Sequence, residues 1–201
     1  MALVKLNNRG VRSATTFGSI SALGEMRFIS KQTASADATI DFTSGIDSTY
    51  KEYLFTFNNI HPETDNKIFQ FQADTGTNTS YNQTLTTTSF RTYQDEAGSE
   101  TSLGYVTGSD QAQGTDFQYL AGGIGNGSDE SGVGYLHLFN PASTVFVKHF
   151  ISTMQFNEAS DYTENRYNAG YFNTTTAITR VRFKMDSGNI DAGDICLYGI
   201  N

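Results

Sequence analysis

Apolar and polar residues alternate with a period of two over much of this chain, and that period predicts strands. The clearest stretch is Tyr50–Ile60, with Tyr53, Phe55 and Phe57 on one face and Glu52, Thr56 and Asn58 on the other. Ile68–Ala73 repeats it, setting Phe69, Phe71 and Ala73 against Gln70 and Gln72. In Ile178–Met185, Val181, Phe183 and Met185 make a core face, and Arg180, Arg182 and Lys184 a basic, solvent face. Met26–Thr33, Asp37–Thr43 and Thr86–Tyr93 carry weaker signals, the last through Phe90. Tyr135–Asn140, Thr144–Phe156, Tyr167–Asn173 and Ile195–Ile200 carry strong ones.

Between these runs, Ser44–Thr49 reads as a turn and His61–Asn66 as a connecting loop. Asp95–Thr115 reads as a long polar loop with one short element, Phe117–Leu120 as a strand or a helical turn, and Ala121–Gly134 as a glycine-rich separator. About eight to ten strands, with no amphipathic helix among them, indicate an antiparallel β-sandwich or jelly roll rather than alternating strands and helices.

Composition supports this. The 201 residues include 15 Phe and 11 Tyr, enough bulk for one core without disulfide or metal. Thr, Tyr and Phe suit pleated surfaces, while Gly, Asn, Ser and Asp suit the turns between them. The expected class is all-β: an antiparallel, jelly-roll-like sandwich over residues 26–201 behind an extended N-terminal arm, residues 1–25.

Charge separates the two parts. The arm holds Lys5, Arg9 and Arg12 and, before Glu25, no acidic residue, while the whole chain has a net charge of −8. The three basic residues are the candidate anchoring contacts of an arm that orders against an acidic partner. An acidic sandwich excludes nucleic acid as a partner, because phosphate binding runs on Lys and Arg. No apolar run approaches the roughly 20 residues of a membrane span, and the start lacks a signal-peptide pattern, so neither membrane insertion nor secretion by a signal peptide is expected. The single cysteine, Cys196, lies in an apolar terminal run and reads as a buried thiol.

Catalytic and metal chemistry find little footing. His61, His137 and His149 lack metal-ligand spacing, no Gly-x-Ser-x-Gly elbow occurs, and the run 122–127 lacks the Lys-Ser/Thr of a phosphate loop. The carboxylate clusters Asp95/Glu96, Asp129/Glu130 and Asp161/Glu164 read as solvated loop charge. No catalytic residue, metal ligand or cofactor is assigned, and the expectation is a non-enzymatic protein. Tyr93, Tyr105, Tyr119, Tyr162 and Tyr167, at loops and strand ends, are the candidate glycan contacts, since sugar rings lie flat on exposed aromatic faces.

Several blocks resemble, as a set, a group of structural proteins of marine tailed bacteriophages. They are IDFTSGIDSTYKEY at 40–53, FNNIHP at 57–62, LHLFNPAST at 136–144, AGYFNTT at 169–175 and SGNIDAGDICLYGI at 187–200. The resemblance implies a place on the outer surface of a virion and a jelly-roll-like fold, and brings no catalytic residues. With the pattern above it leads to an attachment protein of the fibre or spike type, a homo-oligomer expected to be a trimer. The arm would dock on other virion proteins, a tail adaptor or the capsid, and the sandwich would face host-surface polysaccharide. A capsid decoration or head fibre, and a carbohydrate-binding module without a virion role, are the alternatives. A glycan-degrading enzyme would need two carboxylates about 5–10 Å apart in a groove.

Overall fold

The computed structural model describes residues 26–201, all strand and connection. The arm and its Lys5, Arg9 and Arg12 lie outside the described residues. Eight strands form the frame: β1 (Met26–Asp37), β2 (Ile40–Phe42), β3 (Glu52–Pro62), β4 (Lys67–Thr75), β8 (Gln118–Ile124), β9 (Gly132–Phe139), β12 (Ile178–Met185) and β13 (Ile190–Ile200). They pair as β1-β13-β3-β9 and β2-β12-β4-β8, every neighbour antiparallel. Successive frame strands cross from one sheet to the other at every step except β4 to β8, which is jelly-roll connectivity.

The remaining five strands come from two insertions. β5 (Leu85–Asp95), β6 (Thr101–Tyr105) and β7 (Ala112–Gly114) lie between β4 and β8, and β10 (Lys148–Glu158) and β11 (Tyr162–Phe172) between β9 and β12. They continue the larger sheet past β9 as β10-β11-β5, with β6 and β7 along the far edge of β5. One residue pair, Glu158 with Ile124, joins β10 to β8 and links the two sheets.

The frame interior is a cluster of phenylalanines. Phe183 of β12 meets Phe55 and Phe57 edge-on at 5.2 Å each, Phe42 at 6.1 Å, and stacks on Phe69 at 5.9 Å and Phe71 at 6.2 Å. These separations lie in the range where ring quadrupoles attract, beyond the apolar area removed from water. The alternation in β3, β4 and β12 puts the rings there, one from every second residue.

The outer face of the smaller sheet is covered, and here the expected solvent face of β12 needs correction. The segments around residues 78–84 and 115–117 cross it. Gln72, fully buried, donates to the carbonyls of Gln83 (3.0 Å), Thr115 (3.2 Å) and Asp116 (3.1 Å). Arg182 pairs with Asp41 through two bonds, 2.7 and 2.6 Å, and lies 4.1 Å over the Tyr81 ring, while Lys184 sits 4.8 Å from the Phe117 ring. The basic stripe therefore holds the covering segments down instead of facing water.

Other differences follow from pairing. The polar stretch expected as loop contains β6 and β7, which form because β5 offers them an open edge, not because either face is apolar. β11 begins at Tyr162 and β13 at Ile190, and β3 runs through His61 and Pro62. The glycine run is not a free loop. Gly122 and Gly123 belong to β8; a Cβ on Gly122 would stand 2.7 Å from the Arg166 guanidinium, and Gly123 takes φ +57°. Cys196 is a buried free thiol, as its apolar run predicts.

Candidate functional site

The far part of the larger sheet, β9-β10-β11-β5-β6, has two unlike faces. Its inner face is apolar where Leu136, Leu138, Phe150, Met154, Phe156 and Phe172 join the core, and carries a buried polar cluster on β11 and β5 beside them. Glu164 and Arg166, two residues apart on β11, point inward together and are 2% and 5% exposed. One carboxylate oxygen of Glu164 accepts from Arg166 at 2.7 and 2.8 Å, the other from Arg91 at 2.7 Å. The third Arg166 nitrogen donates to the Ser109 hydroxyl at 3.1 Å. Burial pulls the Arg166 pKa down, with the neighbouring Glu164 opposing that shift. Asp161/Glu164 was expected as solvated loop charge; Glu164 is instead the buried centre of an ion-pair cluster, because β11 starts earlier than its apolar pattern suggested. Alongside, Thr87 donates to Gln118 at 2.6 Å and Gln118 to the Ser109 carbonyl at 2.8 Å.

At the open end of this inner face lies a cleft of about 230 Å³ lined by Arg91, Tyr93, Glu158, Ser160, Tyr162 and Glu164. Two of the predicted tyrosines meet here: Tyr93 and Tyr162 are edge-on at 5.2 Å, Arg91 stands 5.0 Å over Tyr93, and Tyr162 donates to Glu100 at 2.9 Å. That bond pushes the Tyr162 pKa up. The half-buried rings are engaged with each other and with Arg91, and Glu164 is neutralised by two guanidiniums. The arrangement is that of a structural end-plug to the polar interior.

The outer face is different. Its outward positions on β9 are Val133, Tyr135, His137 and Phe139, and on β10 His149, Ile151, Thr153 and Gln155. On β11 they are Thr163, Asn165, Tyr167, Ala169 and Tyr171. On β5 they are Thr86, Thr88, Phe90, Thr92 and Gln94, and on β6 Thr101, Leu103 and Tyr105. None of them is Asp, Glu, Lys or Arg, in a chain of which 17% is charged. Val133, Tyr135, Ile151, Phe90, Tyr105 and Leu103 are 38–72% exposed and share this one face. Contiguous apolar exposure of this kind marks an interaction surface.

Register explains how the rings line up. Tyr105, Phe90, Tyr167, Thr153 and Tyr135 are directly opposite one another across β6, β5, β11, β10 and β9. Phe90 and Tyr167 stack at 4.8 Å and 12°, a centroid distance equal to the spacing of adjacent strands. Asn165 donates to the Tyr167 hydroxyl at 3.0 Å, and Tyr105 donates to Asp110 at 2.6 Å, which raises the Tyr105 pKa. A groove of about 510 Å³ lies on one side of this row, bounded by His149, Ile151, Ala169 and Tyr171. Another, of about 300 Å³, lies on the other side among Thr92, Gln94, Thr101, Thr163 and Asn165.

No protein-family model matches the chain, and no curated protein or solved structure is similar to it. The site is therefore read from its own geometry.

Of the five predicted tyrosines, Tyr105 and Tyr167 stand on the outer face, Tyr93 and Tyr162 meet in the inner cleft, and Tyr119 borders a separate small depression with Asp110 and Phe117. Phe90, Tyr135 and Ile151 were not singled out by sequence. Phe90 is the one apolar mark in the weak alternation of Thr86–Tyr93, and β5 carries Thr or Ser on both faces, at 86, 88 and 92 outward and 87 and 89 inward. Strict alternation from buried Leu85 would have turned Phe90 outward. Among the described residues, no group of three or more His, Cys, Asp or Glu is placed to hold a metal ion.

Proposed function

We propose that this chain is a virion appendage of the fibre or spike type, whose jelly-roll domain binds host-surface glycan through the uncharged outer face of β9-β10-β11-β5-β6. The single observation that carries the binding role is the aromatic row, exposed Tyr105, Phe90 and Tyr135 with half-buried Tyr167, on a face of neutral hydrogen-bonding side chains. Aromatic bodies with polar tips are what amphipathic sugar rings require. The jelly roll is an architecture used by viral capsid and lectin domains, which supports the assignment by analogy only. The resemblance to bacteriophage structural proteins supplies the virion part. In this reading residues 1–25 attach the domain to the particle and the copies assemble as a homotrimer. The domain acts by binding and not by catalysis; the doubly neutralised Glu164 supports that, since a carboxylate held by two guanidiniums is a poor acid or base.

Two measurements test this. Mass spectrometry and antibody labelling of purified particles should find the chain on their surface. Fluorescently labelled full chain should bind host cells, and periodate oxidation of the cell-surface sugars should abolish that binding. Absence from particles overturns the appendage reading, and periodate-insensitive binding overturns the glycan reading.

A further inference from the structure

The outer face offers a particular combination of chemistry. Neutral hydroxyls and carboxamides, Thr92, Thr163, Asn165 and Gln155 at one end and Thr86 and Thr88 at the other, can donate and accept without regard to charge. Carboxylates meet it at its margins, Asp110 at the Tyr105 hydroxyl and Glu52 of β3 at the His137 ring. An anionic polymer meets no Lys or Arg on this face and is repelled by a chain of net charge −8. A cationic polymer finds no carboxylate between those margins, and the two at the margins are already bonded. A neutral polymer loses nothing on either count.

The rings define where it would sit. A parallel stack occupies one face of each ring, so Tyr167, stacked on Phe90, turns its other face toward β10. The residue there is Thr153, which is small, and the next strand carries Tyr135, 42% exposed. Tyr167 and Tyr135 are thus two strand spacings apart, about 9.6 Å, with Thr153 as the floor between them. That gap admits one flat ring between the free face of Tyr167 and the Tyr135 side chain, whose own ring meets His137 edge-on at 5.3 Å. The larger groove, over β10, β11 and β5, reaches this slot from one side of the row, and the smaller, over β11, β5 and β6, lies on the other side of the row, so a chain joining them runs obliquely across β10, β11 and β5. From Thr163 to Tyr171 the face extends along β11 for about 26 Å at the usual rise per residue.

Resting on the glycan-binding reading above, we propose that the outer face takes an uncharged polysaccharide as an extended chain lying obliquely across β10, β11 and β5, one sugar ring held between Tyr167 and Tyr135 over Thr153 and its neighbours in the two grooves. Affinity then comes from stacking and neutral hydrogen bonds, and is insensitive to ionic strength.

Affinity electrophoresis of the full chain tests this, using gels that contain dextran, mannan, galactan or β-glucan as neutral polymers and alginate or hyaluronate as anionic ones. The expected result is retardation by at least one neutral polymer, unchanged when salt is raised from about 0.05 to about 0.5 M. Tyr167→Ala should weaken it about tenfold, and Thr153→Arg, which fills the slot, should abolish it. Both positions face outward, and an unchanged urea midpoint shows that a variant is folded. Retardation by anionic polymers alone, fading with salt, overturns the neutral-chain inference while leaving glycan binding in place. No retardation by any polymer, with sedimentation as an oligomer that Thr153→Arg dissociates, makes the face a contact between copies and overturns both.

Discussion

The two halves of this molecule fill their interiors differently. Under β3, β13, β4 and β12 the interior is phenylalanine and aliphatic, and the smaller sheet is clad outside by the segments at 78–84 and 115–117. Under β10, β11 and β5 the apolar core continues through Phe150, Met154, Phe156, Phe172 and Leu85, but Ser152, Glu164, Arg166, Asn168, Thr87 and Ser89 are buried beside it, and the outer face carries further aromatic rings. The extension mixes a polar interior into the core and turns part of its aromatic surface outward. An apolar interior stabilises by area removed from water and tolerates approximate fit, whereas a polar interior stabilises only when each group has its partner. By fixing orientation through the Glu164 cluster, the second half can place Phe90 and Tyr167 on the outside while Phe150, Phe156 and Phe172 stay in the core.

The comparison can be broken first at the frame. Phe183→Ala removes the ring that touches five others, and should cost about 3–5 kcal/mol of unfolding free energy, measured by urea titration. A loss under about 1 kcal/mol would mean that the ring cluster is not what holds the frame. In the extension, Arg166→Met leaves Glu164 with Arg91 as its one remaining guanidinium and should cost about 3 kcal/mol. Replacing Glu164, Arg166 and Arg91 together by Leu, Met and Leu should recover most of that, because no buried charge is then left unpaired. Additive losses in the triple variant would show that the three act independently, against the reading of one cluster.

A finer probe is Lys148, fully buried at the start of β10, which donates to the carbonyls of Phe146 (2.8 Å) and Thr174 (3.0 Å). Burial lowers its pKa below the ordinary 10.5. Between the folded value and 10.5 the unfolded chain binds more protons, so wild-type stability gains with rising pH across that window. Lys148→Met should lack this gain. The wild-type stability minus that of the variant should therefore climb toward pH 10.5, and a flat difference would place the ammonium in water.

How much of this was legible in the sequence divides along the same line. The frame was readable because a strand with one apolar face writes its register into the chain: Tyr53, Phe55 and Phe57, or Val181, Phe183 and Met185, name the core directly. The extension was not, since β5 and β11 place polar side chains inward and aromatic ones outward, and a period-two reading that equates apolar with inside then inverts the faces. Phe90 is for this reason the one apolar mark in a weak alternation, and Glu164 was credited to solvent. Edge strand β6, Thr-Ser-Leu-Gly-Tyr, shows no apolar alternation that buries a face and owes its form to the hairpin it makes with β5 just before it. Tyr105 and Tyr167 were found as candidates through residue type. Their alignment with Phe90 and Tyr135 required the cross-strand register.

The claim that matters most is that the outer face of the extension is the one that meets ligand. Backbone amide chemical-shift mapping of the full chain, titrated with an oligosaccharide from whichever polymer retards it, tests this directly. The account predicts that the shifts concentrate on the strands around Thr153, Tyr167, Phe90 and Tyr135 and on the two flanking grooves. Shifts confined to Arg91, Tyr93 and Tyr162 in the inner cleft, or to β1 and β13, would contradict it.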